Sequence, residues 1–128
     1  MKPRVLLFNL KETEKGKNLE RIFTFLKYQV FYPVKDDYDY TLGELSGLDE
    51  IQKERIYTGE DFQEELMVLY TETEDQLNQA LFFMREEKVT VDLKAMITPT
   101  NRKWKILDLY KEIKEEHEYM KKMKEEGK

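Results

Sequence analysis

The chain has 128 residues, 38% charged, 40% hydrophobic and 12% aromatic, with a formal net charge of −5 and no cysteine. That length fits one domain, residues 1–128, able to bury roughly two-thirds of its unfolded surface without a staple, and the missing cysteines exclude disulfide frameworks, Cys-type zinc sites and thiol chemistry. The acidic balance opposes docking on nucleic-acid phosphates. No run approaches the ~20 apolar residues of a membrane helix, and Asn9 cuts the opening run Val5–Phe8 short of a secretory signal, so the expectation is a cytoplasmic protein with no nucleic-acid or membrane partner.

Arg4 to Leu10 reads as a strand buried on both faces, because Val5, Leu6, Leu7 and Phe8 leave no polar side. Beyond the breaker Gly16, Leu19, Ile22, Phe23 and Leu26 form one apolar stripe, giving a helix over Lys17 to Lys27. Gln29 to Val34 is a second strand that Pro33 ends or confines to an edge. Residues 35–64 are too long for a plain connection and read as a compact insertion or flap. Within it Thr41 and Glu44 are spaced as a capping box, Leu42, Leu45 and Leu48 face inward, and Gly47 stops the short helix. Ile51, Ile56, Tyr57 and Phe62 are expected to pack a second short piece.

Glu65 to Tyr70 is the third strand, and Thr73 with Gln76 forms a capping box that opens a helix reaching Glu87, with Leu77, Ala80, Leu81 and Met84 as its stripe. Val91, Leu93, Ala95 and Ile97 alternate with Asp92, Lys94 and Met96, a half-buried strand that ends at Pro99. A last helix starts near Arg102, buries Trp104, Ile106, Leu107, Leu109, Tyr110 and Ile113, and gives way to a charged tail, 118–128, expected to fray. The order strand-helix-strand, twice, predicts an α+β ferredoxin-like split βαβ sandwich with an added C-terminal helix. Its four-stranded antiparallel sheet would run in order 4-1-3-2, with the first strand central and both helices on one face. The alternative is a small three-layer α/β sheet whose last helix covers the second face.

The stretch Thr98-Pro99-Thr100-Asn101-Arg102-Lys103-Trp104 joins the last strand to the last helix and breaks the charge rule of helix starts. A helix N-terminus attracts acids, yet Arg102, Lys103 and Lys105 come first and no acid appears before Asp108. Carboxylates of the fold must answer this potential, and in the split topology Glu72, Glu74 and Asp75 lie nearest. The alternative is an anion site in which free N–H groups, Thr98, Thr100, Asn101 and Arg102 or Lys103 hold a phosphate or carboxylate beside Trp104. Trp104, the single tryptophan, anchors the helix to the sheet or stacks on a ligand ring.

Other constellations are weaker. Aligning Asp37 and Asp39 with a calcium loop puts Leu42 where glycine is required and Leu48 where the closing glutamate belongs, so that loop fails and a solvated acidic turn is the better reading. His117 is the only histidine, which excludes a two-His metal site within one subunit. No nucleophile-base pair can be named, so no catalytic residue, metal or cofactor is expected. Ile106, Leu109, Ile113, Met120 and Met123 follow an a/d register that Glu116 interrupts, short of a coiled coil yet compatible with a helix-mediated dimer.

The run Lys94 to Trp104, followed by Leu107, Leu109 and Lys114-Glu115-Glu116-His117, resembles the bacterial domain of unknown function family 3783 over the last third of the chain, with weaker similarity through Leu66 to Met84 and the opening strand. The resemblance implies a small bacterial cytosolic domain and supplies no catalytic residue. Together these readings point to a non-catalytic regulatory or protein-interaction module, partnered by a second copy or another protein. The alternative is a sensor or enzyme for a small anionic ligand at the Thr98 to Trp104 turn.

Overall fold

The computed structural model describes residues 2–126. Its elements are β1 (Arg4–Phe8), α1 (Glu14–Phe25), β2 (Gln29–Phe31), a 3-10 turn (Lys35–Asp37), α2 (Leu42–Leu45), β3 (Leu66–Tyr70), α3 (Glu74–Glu86), β4 (Leu93–Met96) and α4 (Ile106–Glu126). None of the described helices is long and apolar enough to cross a membrane.

The four strands form one sheet in the order β2-β1-β3-β4. β1 is central and adjacent to β3, as expected, but the outer strands stand in exchanged places and the sheet is mixed. β1 runs parallel to β2 and β3 parallel to β4, while β1 and β3 pair antiparallel from Arg4↔Tyr70 to Phe8↔Leu66. The all-antiparallel 4-1-3-2 sheet is therefore corrected. A split arrangement requires each crossover to skip a strand position, whereas here the returning strand lands beside the one it left. The Gln29 N–H donates to the Pro3 carbonyl at 2.9 Å and the Ile97 N–H to the Leu69 carbonyl at 2.7 Å, which extends each parallel ladder at one end.

Both helix ends use the same device. Lys27 and Lys88 adopt left-handed backbone, at φ 70° and 57°, so that the Tyr28 N–H reaches the Phe23 carbonyl and the Val89 N–H reaches the Met84 carbonyl, each at 2.9 Å. This is the Schellman pattern, which satisfies orphan carbonyls and turns the chain into the next strand. At the front, Thr13 caps α1 and Thr73 caps α3, the latter with Gln76 as the expected capping box. Gly16 lies so close under the Leu10 carbonyl that a Cβ there would stand 1.9 Å from its oxygen.

Period-two alternation sends the central strands into two cores. Val5, Leu7, Met67 and Leu69 pack against Leu19, Ile22 and Phe23 of α1 and Ala80 and Met84 of α3. Leu6, Phe8, Leu66 and Val68 pack on the opposite face against Ile106, Leu109 and Tyr110 of α4 and against Tyr38, Leu42 and Phe62 from residues 35–64. The layers are thus α1 and α3, the sheet, then α4 with the insertion, which is the three-layer alternative.

Residues 35–64 are a packed layer instead of a flap. Phe62 stacks on Tyr110 at 4.4 Å and on Tyr38 at 5.5 Å, and Phe8 meets both Tyr38 and Phe62. Thr41 and Glu44 form the expected box, and Gly47 follows α2 at φ 77°. Ile51 and Ile56 do not pack as expected: they are 49% and 80% exposed, because the aromatic residues fill the available sheet face. α4 begins at Ile106 instead of near Arg102 and stays helical through Glu126, where fraying from 118 was expected. The spacings Glu118 to Lys122 and Lys121 to Glu125 place opposite charges one turn apart, which supports a solvated helix. Residues 127 and 128 lie outside the described residues.

Lys27→Gly and Lys88→Gly should each stabilise the protein in urea unfolding by about 0.5–1 kcal/mol. Relief of left-handed strain, about 1–2 kcal/mol for an L-residue, outweighs the ~0.4–1 kcal/mol that glycine adds to unfolded-chain entropy.

Candidate functional site

The turn that follows β4 closes on itself. The Thr98 N–H donates to Asn101 Oδ1 at 2.8 Å, the Asn101 N–H donates to Thr98 Oγ1 at 3.1 Å, and Asn101 Nδ2 donates to the Met96 carbonyl at 2.9 Å. The Arg102 N–H then reaches the Thr98 carbonyl at 3.0 Å. This is a reciprocal box over a single turn. Thr98 takes the cap position, Pro99 the first position where a missing N–H costs nothing, and Asn101 the third. Asn101 is buried with its side chain hydrogen-bonded at both ends. It does not cap α4, nor does Thr100, which is exposed.

The apparent violation of the helix charge rule disappears with this geometry. Arg102, Lys103 and Lys105 precede α4, whose first turn carries Asp108, the acid a helix start attracts. Arg102 is held by Asp49, with Nε to Oδ2 at 2.9 Å and Nη2 to Oδ1 at 2.6 Å, and Nη2 also donates to the Leu48 carbonyl at 2.8 Å. The guanidinium draws the Asp49 carboxyl below the usual carboxylate range, and Asp49 in turn raises Arg102. Lys105 pairs with Asp39 at 2.7 Å. Internal pairing is what the geometry contains, but with Asp49 and Asp39 in place of Glu72, Glu74 and Asp75. Glu72 instead accepts from the Tyr70 hydroxyl, and Glu74 and Asp75 serve the first turn of α3.

The insertion reaches the turn because α2 docks its leading N–H groups on it. The Leu42 N–H donates to the Trp104 carbonyl and the Gly43 N–H to the Arg102 carbonyl, each at 2.9 Å. Gly43 permits this approach, since a Cβ there would stand 1.9 Å from Asp49 Oδ2 and 2.9 Å from Arg102 Cγ. Asp49 carried no sequence signal of its own. The one clue was a glycine inside a capping box, a costly choice in a helix unless another backbone comes close. Trp104 is half-buried against the α4-side core, as an anchor would be. Lys103 stays exposed. The cavities of about 550, 450, 260 and 150 Å³ are not lined by any residue of Thr98 to Trp104.

The roomiest of these lies at the opposite end of α4. A cavity of about 550 Å³ opens where the helix leaves the sheet, between Glu64, Glu65 and Asp92 on the body and Lys114, His117 and Lys121 on the helix. It continues into one of about 450 Å³ bounded by Asp92, His117, Met120, Lys121 and Lys124. Glu64 fastens the last packed turn of α4, accepting from the Tyr110 hydroxyl at 2.5 Å and pairing with Lys114 at 2.9 Å. The Tyr110 hydroxyl first, and Lys114 second, draw the Glu64 carboxyl down to about 2. Among the described residues no group of three or more metal-ligating side chains comes together.

Two expectations follow. Asn101→Ala leaves the Thr98 N–H and the Met96 carbonyl without their side-chain partner and should cost about 1–3 kcal/mol in urea unfolding. Glu64, depressed from an ordinary 4.5 to about 2, contributes stability that is complete above 4.5 and is lost as the pH falls toward 2. A series of denaturant melts across that window should therefore fall less steeply for Glu64→Gln than for the parent chain.

No curated protein and no solved structure matches the chain. Residues 65–120, spanning β3, α3, β4, the Thr98 turn and α4 as far as Met120, match the profile of the family described as Domain of unknown function (DUF3783).

Proposed function

We propose that the chain is a non-catalytic protein-interaction module whose contact surface is the overhanging half of α4. What supports this reading is the division of labour along the helix. Ile106, Leu109 and Tyr110 are buried, whereas every residue from Glu115 to Glu125 is exposed. Tyr119, Met120 and Met123, three large apolar side chains within little more than one turn, are 62%, 65% and 51% exposed. Scattered apolar residues are ordinary on a surface, but a cluster on a projecting element marks contact with another protein. A helix this far beyond its sheet contributes little to the fold, and its unfolded alternative costs little, so a partner accounts for its length and its methionines.

The other reading, a sensor or enzyme for a small anion at Thr98 to Trp104, has less support. An anion on Arg102 competes with Asp49 and Leu48, which already occupy its guanidinium.

The test uses Met120→Lys with Met123→Lys. Both positions are exposed, so unfolding free energy should stay within about 0.5 kcal/mol of the parent. In native extracts of producing cells the parent is expected in a species larger than one chain, cross-linked through a photoreactive residue at 120, and the double variant as a single chain. A parent that runs alone in the extract overturns the reading.

A further inference from the structure

Resting on that reading of the overhang, we infer that its partner is a second copy of the chain, with the two α4 segments packed antiparallel and centred on Met120. Around Met120 the same helix face carries the residues three and four positions away: Glu116, His117, Met123 and Lys124. The charges on this face are antisymmetric, an acid one turn before the methionine and a base one turn after it. A two-fold axis at Met120 sets Glu116 against Lys124 of the second copy, twice, and His117 against Met123 of the second copy, twice, with Met120 against its own equivalent. A parallel pair sets Glu116 against Glu116 of the second copy and Lys124 against Lys124 of the second copy, so the pattern is self-complementary in one direction only.

In an antiparallel pair centred on Met120, residues 114–126 of the two copies overlap over about 20 Å at 1.5 Å per residue. The tip of each helix then lies beside residues 114–116 of the other. The contact uses the same patch on both copies and closes as a two-fold dimer.

Analytical ultracentrifugation of the purified full chain tests this. The mass of the parent is expected to rise toward two chains with concentration. Glu116→Lys or Lys124→Glu alone creates two like-charge pairs and is expected to weaken the dimer roughly three- to thirtyfold. The double variant carrying both exchanges restores the parent affinity, and an equimolar mixture of the two single variants forms mixed dimers in preference to either alone. A parent that stays a single chain up to its highest soluble concentration overturns the inference, as does a dimer indifferent to the single reversals or a double variant that stays weak. If the purified parent is a single chain while the extract still shows a larger species cross-linked at 120, the second-copy assignment falls and the interaction reading stands. A single chain in both experiments removes both.

Discussion

The antiparallel pairing of β1 with β3 is the contact on which the rest of the molecule depends. Each strand-helix-strand unit supplies a parallel pair and one helix, too little to bury both faces of its inner strand. Joining the units through five residue pairs, centred on Leu6↔Val68, makes a four-stranded sheet whose two inner strands are paired along both edges. The junction also brings α1 and α3 side by side on one face, where Phe23, Ala80 and Met84 share a core. Because β1 and β3 run in opposite directions, the two units are related by an approximate two-fold axis. Both helices end in the same left-handed lysine turn, the local sign of that relation.

Pairing the units leaves the other face of the sheet apolar over Leu6, Phe8, Leu66, Val68 and Leu93, and no third unit covers it. Residues 35–64 and α4 do so together. The insertion brings aromatic rings, which fill the space beside Phe8, and α4 brings an aliphatic stripe. The two pieces are then tied to each other at both ends of the packed half of the helix. At its start Arg102 and Lys105 hold Asp49 and Asp39; at the last packed turn Tyr110 and Lys114 hold Glu64. Surface ion pairs are individually weak. Here they fix register between two layers whose attraction is otherwise non-directional, the function for which charge is well suited.

Much of this was legible from local pattern. The unbroken apolar run Val5 to Phe8 marked a strand buried on two faces, and the Thr73 and Gln76 box placed the start of α3. Thr41, Glu44 and Gly47 marked the bounds of α2. Strand order was not legible, because the same sequence of elements serves a crossover that skips a strand and one that does not; the outcome is set by where short turns such as Leu26 to Tyr28 deliver the chain. The start of α4 was misplaced for a physical reason as well. Thr98-Pro99-Thr100-Asn101 carries a full helix-start signature, and it starts a turn, but Trp104 and the docking of α2 break the chain before Ile106. The basic residues that break the charge rule of helix starts follow from that misplacement, since they occupy the turn ahead of the helix, where Arg102 and Lys105 pair with Asp49 and Asp39, far away in sequence.

The segment that matches the family profile, residues 65–120, holds β3, α3, β4 and most of α4, and so covers β3 and β4 on both faces with helices. It does not complete the edge of β3. Leu66 to Tyr70 would present a flat row of five apolar-flanked residues with unpaired backbone groups, the kind of edge that seeks another strand. In this chain β1 fills that place, and with it come α1, β2 and the insertion that shields the outer part of the α4-side core. The first half of the molecule is therefore the complement that the second half requires, and among the described residues the end of α4 is the long element that this arrangement leaves uncovered.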